Sequence, residues 1–239
     1  MPDADPLAWL SSLEGVPSGF VGARDAVDAL LRDRGLRRST PEQTAESLLR
    51  GAHASAVLEG SASSLEDVRE GTGDRIAAAS VRISAELLSL TPVLVRTPGQ
   101  AFARLHTLAG AREVPDDALG RPVSAEAAER LATLARTVLT TAAPAMQLAA
   151  LVHAEIVTVA PFSSHNGLVA RAAERLLLVA RGVDPASLTV PEAGHLALRR
   201  EYESNLRGYR DGGRAGLHSW LLYAPEAYAR GAELSPLHQ

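Results

Sequence analysis

The sequence predicts an all-α fold, and three observations carry that prediction. Apolar residues recur three and four apart through most of the chain, the period of one helix face. Helix starts are written repeatedly as a small polar residue followed by proline or an acid, as in Thr40-Pro41-Glu42-Gln43. Only residues 111–123, with turn formers Pro115, Asp116, Asp117, Gly120 and Pro122, suit a strand, and there a loop or one short β-hairpin is expected.

Residues 1–40 read as an N-terminal helical extension, with a short helix near Pro6 to Leu13 and another from Val21 to Arg34 ended by Gly35. Thr40 opens a firm helix on which Ala45, Leu48, Leu49, Ala52 and Ala56 share a face, with Gly60 as its C-terminal stop. Ser63 with Glu66 suggests a second capping box and a short helix to Glu70, and Asp74 opens a helix to about Leu90. Thr97-Pro98-Gly99-Gln100 repeats the earlier start and leads through Phe102, Leu105 and Leu108.

Ser124 caps a helix to about Thr140, and Pro144 precedes one whose Leu148, Leu151, Val152, Ile156 and Val159 make it apolar nearly all round. Such a helix belongs at the centre of a bundle. A loop around Pro161 to Gly167 feeds a second central helix that runs to Arg181 and stops at Gly182. A helix from about Gly194 to Tyr209 and a last helical stretch interrupted at Pro225 complete a main domain of residues 41–232, followed by a tail, 233–239.

At 239 residues and 46% apolar composition the chain can bury a full core, and its net charge of −4 provides no basic field for nucleic acid or an acidic membrane. The absence of cysteine excludes disulfides and thiolate chemistry and fits a reducing compartment. The acidic N-terminus lacks the charge pattern of a signal peptide, and Gln147, His153 and Glu155 break the longest apolar stretch, so a soluble, cytoplasmic protein without a membrane span is expected. All 24 basic residues are arginine, which points to a GC-rich, bacterial genome. Oligomeric state is not encoded in any of this.

The strongest functional statement is HAEIVTVAPFSSHNGLVARAAERLLLVAR, beginning at His153. A tight loop running into a helix N-terminus aims backbone N–H groups at one point, and the helix dipole there favours an anion such as phosphate. The candidate anion-binding residues are Ser164, His165, Asn166, Gly167 and Arg171. Each has an ordinary structural reading: Asn166 and Gly167 can start a helix, His165 can face solvent, and Arg171 can be a surface arginine. Ser163 and Ser164 have no evident triad partner, and His106, His153 and His195 lack zinc-ligand spacing and read as packed or capped.

The loop resembles the signature of the Fic (Fido) family: histidine, Pro-Phe, any residue, an acid, Gly-Asn-Gly, then arginines three apart. Pro161, Phe162, Asn166, Gly167 and Arg171 match it, while Ala160 stands at the histidine, Ser164 at the acid, His165 at the first glycine and Leu168 at the first arginine. Ser55-Ala-Val-Leu-Glu59-Gly60 is similar to the family's inhibitory helix motif, placed upstream as in its N-terminally inhibited class.

The resemblance implies a Fic-like helical bundle around a central buried helix pair, residues 41–60 as inhibitory helix and segment 111–123 at the place of the flap. It implies ATP or another nucleotide as ligand, a protein hydroxyl as target, and contact between Glu59 and Arg171. With histidine, acid and first arginine replaced, it implies no resident Mg²⁺ and no conventional AMP transfer. Three readings stay open: a pseudoenzyme that binds a nucleotide or a protein partner, an active transferase that uses His165 in place of the lost base, and a helical interaction module.

Overall fold

A computed structural model describes residues 5–32 and 39–238, and its organising pair is α8 (Ala145–Val159) against α9 (Asn166–Ala180). These helices carry the most continuous apolar sequence, and Leu148 to Ala154 and Gly167 to Leu178 are buried without interruption. Packing them antiparallel through the short 160–165 loop removes both apolar surfaces from water at about 25 cal/mol per Å².

Around the pair stand α1 (Val16–Leu30), α2 (Pro41–Leu58), α3 (Leu65–Glu70), α4 (Arg75–Glu86), α5 (Thr91–Arg96), α6 (Pro98–Gly110) and α7 (Ala125–Thr140), with α10 (Pro191–Ala197), α11 (Arg199–Asp211) and α12 (Gly213–Glu233) closing the other side. Helices α5 and α6 pack on α9 from one direction, α2 and α10 from another, and α11 and α12 lean on α8. Among the described residues there is no strand.

The capping signals place most boundaries. Thr40 makes a full capping box: the Gln43 N–H donates to Thr40 Oγ1 at 3.4 Å and the Thr40 N–H donates to Gln43 Oε1 at 2.9 Å. Thr40→Ala should therefore cost about 1 kcal/mol, read as a lower urea midpoint with unchanged slope. Ser124 caps α7 and Asp74 caps α4 through the Ala127 and Ala77 N–H groups.

Several expectations are corrected. Of the loop or hairpin expected at 111–123, the loop is what forms, a chain of turns, because its two prolines and one glycine punctuate it faster than a ladder can form. The second capping box is one residue later than expected, Ser64 with Asp67, since aspartate at the third position reaches the Ser64 N–H. The first long helix begins at Val16, with Pro17 in its first turn, and its expected stop at Gly35 lies outside the described residues. The start at Thr97 holds, since α6 opens at Pro98, but Thr97 makes no side-chain cap bond there: its hydroxyl donates to the Val93 carbonyl at the end of α5, a helix that was not foreseen.

The helix expected from Gly194 to Tyr209 is two, α10 and α11, broken at Leu198. Conversely, α12 runs through Pro225 uninterrupted, with the proline packed against Gly19 of α1. Residues 234–238 end in a short 3₁₀ turn, with Ser235 and Leu237 buried.

One helical run, Arg75–Arg96, is long and apolar enough to cross a membrane by length and composition alone. It comprises α4, a 3₁₀ turn at Leu87–Leu90 and α5, and it packs against α2, α6 and α9 as part of the bundle.

Candidate functional site

The loop between α8 and α9 is built by two left-handed residues and one asparagine. Ala160 (φ 46°) ends α8 and His165 (φ 57°) precedes α9, and neither has the freedom of glycine. Asn166 closes the loop, accepting from the Phe162 N–H at 3.0 Å and donating to the Phe162 carbonyl at 2.8 Å. Phe162 is buried and stacks on His106, ring centroids 4.5 Å apart and 6° from parallel. His106 Nδ1 accepts from the Gly120 N–H at 2.9 Å, which ties the 111–123 segment to the loop, and burial pushes its pKa down to about 4.

At the mouth of α9 a carboxylate from the same chain lies over Gly167 and is hydrogen-bonded to Arg171, not to the first-turn N–H groups. Glu59, at the end of α2, lies so close over Gly167 that any side-chain carbon there would collide with its Oε1. The same oxygen accepts from Arg171 Nη2 at 2.8 Å. Arg171 is buried, contrary to its surface reading, and its other hydrogens go to Ser55 Oγ (2.8 Å), the Ser55 carbonyl (3.1 Å) and Tyr202 Oη (3.0 Å). Burial opposes its charge, yet Tyr202 and Glu59 hold its pKa above the usual arginine value.

One turn on, Arg175 repeats the arrangement. Its guanidinium reaches Ser47 of α2, Glu192 of α10 at 2.9 Å, Ser187 Oγ at 2.8 Å and the Thr189 carbonyl at 2.9 Å. Gly51 is what lets it lie there, since an added carbon would meet Arg175 Nη1. Ser47, Gly51, Ser55 and Glu59 thus form a stripe four residues apart on α2 that receives two arginines four apart on α9. Gly51→Ala should destabilise the protein by about 1–3 kcal/mol, measured as a lowered midpoint of thermal unfolding.

Behind Arg171 lies a polar chain that sequence spacing did not reveal. Tyr202 Oη is 2.9 Å from His153 Nε2, His153 Nδ1 is 3.0 Å from Glu174 Oε2, and His195 Nε2 is 3.0 Å from the same oxygen. Tyr228 donates to Glu174 Oε1 at 2.8 Å, and His195 Nδ1 is 2.9 Å from Tyr223 Oη. His153, Glu174 and His195 are fully buried, with ligand atoms within 4.8 Å of one another.

Their hydrogen bonding favours a proton-linked chain over a metal. Tyr202 already accepts from Arg171, so its own hydrogen goes to His153 Nε2, which leaves the His153 proton on Nδ1, 3.0 Å from Glu174 Oε2 in an ion-pair contact that is not aligned as a hydrogen bond. The two histidines and Tyr228 then serve one carboxylate. Burial raises the pKa of Glu174, but His153 and His195 outweigh it and hold it below the usual carboxylate range. Burial drives His153 down to about 4, Glu174 partly opposing.

The remaining candidates sit as follows. Leu168 is buried, so no cation stands at the first-arginine position. His165 is not solvent-facing: its side chain is 12% exposed, with Nδ1 2.7 Å from Ser164 Oγ and Nε2 3.7 Å from Glu113 Oε2. Ser164 therefore does have a histidine partner, which adjacency in sequence disguised. A Mg²⁺ ion does not fit this donor set, because the hydroxyl at the acid's position is engaged by His165 and supplies no charge.

No protein-family model matches the sequence, and no curated protein matches it. Solved structures do. A Fic family protein from Desulfovibrio desulfuricans G20 superposes with a TM-score of 0.74 at 16% identity, over 92% of this chain and 73% of that one. A fragment of Fic-1 from C. elegans gives 0.68 at 16% identity over 95% and 72%, and a variant of that fragment gives 0.70 at 17% over 94% and 73%. At these identities the likeness is one of architecture, and the chain has the all-α fold of Fic family proteins.

Proposed function

We propose that this chain is a Fic-like pseudoenzyme of the bacterial cytoplasm, a protein that keeps an anion cradle at α9 and no longer transfers a nucleotide through it. The observation that carries this reading is Glu59 seated over Gly167 and paired with Arg171, in a loop where alanine, serine and leucine replace base, acid and cation. Phosphoryl transfer is mostly positioning and charge stabilisation, so losing all three leaves little to accelerate it. A general base alone contributes ~10²–10⁴ in rate.

The ligand of this reading is a nucleotide or a protein partner. Isothermal calorimetry with ATP should give at most weak binding to the natural chain and at least ~10-fold tighter binding to Glu59→Gly, a gain of about 1.4 kcal/mol. Incubation with labelled ATP should leave both proteins unlabelled. Rapid self-labelling of either would overturn the loss of transfer.

A second reading, an active transferase with altered chemistry, draws on the polar contacts of His165. In that case His165→Ala abolishes labelling and Ala160→His is not needed for it. A plain interaction module predicts no nucleotide binding even for Glu59→Gly.

A further inference from the structure

Two replaced positions of the loop touch each other. Ser164 Oγ lies 2.7 Å from His165 Nδ1, and on the far side of the ring Nε2 lies 3.7 Å from Glu113 Oε2. The carboxylate on the far side favours one tautomer: with the ring hydrogen on Nε2, facing Glu113, Nδ1 is left to accept from the serine hydroxyl. Glu113 is itself placed by Arg82, 3.9 Å from its other oxygen, and Arg82 is anchored on the Leu108 and Ala109 carbonyls.

The loop holds this arrangement against strain. His165 keeps φ at 57°, a conformation glycine would adopt freely, while the paired Asn166–Phe162 hydrogen bonds fix the chain around it. Just beyond, the Gly167 and Leu168 N–H groups begin α9, and neither has an acceptor among the described residues. Hydroxyl, base, carboxylate and free N–H donors are thus gathered at one half-buried turn.

We propose that Ser164 is a nucleophile toward small uncharged carboxylic esters, with His165 as its general base and Glu113 as the positioning residue for His165. An uncharged ester fits better than a polyanion, because the Arg171 donors are already engaged and the Glu59 carboxylate already lies at the helix mouth. The proposal is independent of nucleotide binding and holds with Glu59 in place.

Ser164 Oγ attacks the ester carbonyl carbon while its proton passes to His165 Nδ1. The carbonyl oxygen takes the negative charge and the α9 N–H groups receive it. Collapse breaks the bond to the alkoxy oxygen, which leaves with the proton from Nδ1. Water, deprotonated by His165, then cleaves the acyl-serine to acid and free Ser164.

The test is p-nitrophenyl acetate on the full chain, followed by release of p-nitrophenol and by mass spectrometry of the trapped acetyl adduct. The sequence contains no lysine or cysteine, so competing acylation is confined to the N-terminal amine, the seven histidines and other hydroxyls, which the mass of the adduct-bearing peptide separates from Ser164. Acetylation is expected on Ser164, abolished by Ser164→Ala and slowed ~10²–10⁴-fold by His165→Gly, the loss of a general base. His165→Gly also keeps the test free of misfolding, since glycine suits the left-handed turn. Glu113→Gln should slow acetylation and Glu113→Asp restore part of the rate.

An adduct on another hydroxyl, no adduct, or an unchanged rate in His165→Gly overturns the proposal. None of these outcomes touches the calorimetry of Glu59→Gly, so the two readings fail separately.

Discussion

Arg175→Ala should lower the free energy of unfolding by about 3–5 kcal/mol, the cost of stranding a buried partner charge. Glu192, 5% exposed, would lose its cation, and Ser47, Ser187 and the Thr189 carbonyl would lose their donor in the same stroke. Urea unfolding followed by circular dichroism reads the effect directly. Removing both charges, Arg175→Met with Glu192→Met, should recover much of the loss, because apolar replacement of a buried pair is often neutral. A loss below about 1 kcal/mol for Arg175→Ala would show that the arginine does not fasten α2 to α9.

That fastening matters for the site. Arg171 and Arg175 enter α2 one turn apart, so Glu59 is presented to Gly167 by a helix held at two buried points. Hydrogen exchange should then find α2 as protected in Glu59→Gly as in the natural chain. Extra exchange along α2 would mean that the Glu59 contact, and not Arg175, keeps it in place.

What could be read beforehand was local. Thr40-Pro41-Glu42-Gln43 needs only its own residues to start a helix, and the apolar circumference of 145–159 needs only its own sequence to demand the centre. The Glu59–Arg171 contact was accessible because a motif resemblance joined two distant segments. The Glu174 chain was not accessible, since His153, Glu174 and His195 come from three helices and only packing brings them together.

Local rules failed where packing overrode them. Pro225 was expected to interrupt its helix, but the missing N–H is tolerated where the proline ring has Gly19 to pack against. Leu198 breaks what looked like one helix, because Gly194 must bring α10 hard against the backbone of α12 before the chain can turn into α11. Ser164 and His165 were read singly, as separate candidate anion-binding residues, the one at the acid's position and the other able to face solvent. Their meeting depends on the left-handed turn at 165, which sequence does not announce for a residue with a side chain.

Stability should also fall steeply on acidification, and the sign follows from the buried histidines. His153 and His106 both sit near 4 in the folded chain, against about 6.5 unfolded. Between those values the unfolded chain binds more protons, so stability is full above pH 6.5 and is lost as pH falls toward 4. Both histidines act in the same direction over that window. Below it Glu174 continues the trend: its folded pKa is depressed, so its contribution is present above about 4.3 and disappears as pH falls further.

The structural cause is specific for His153. A second ring proton would appear on Nε2, facing a Tyr202 hydroxyl that already accepts from Arg171 and has no other acceptor for its own hydrogen among the described residues. Glu174 faces the ring from α9, with His195 beside it from α10, and the net effect is still a lowered value because burial dominates. Urea titrations at pH 7, 6, 5 and 4.5 should show the loss, and His106→Gln should remove about half of the slope. A flat profile would mean that these histidines exchange protons as freely folded as unfolded, and the one-way chain from Arg171 to Glu174 would have to be redrawn.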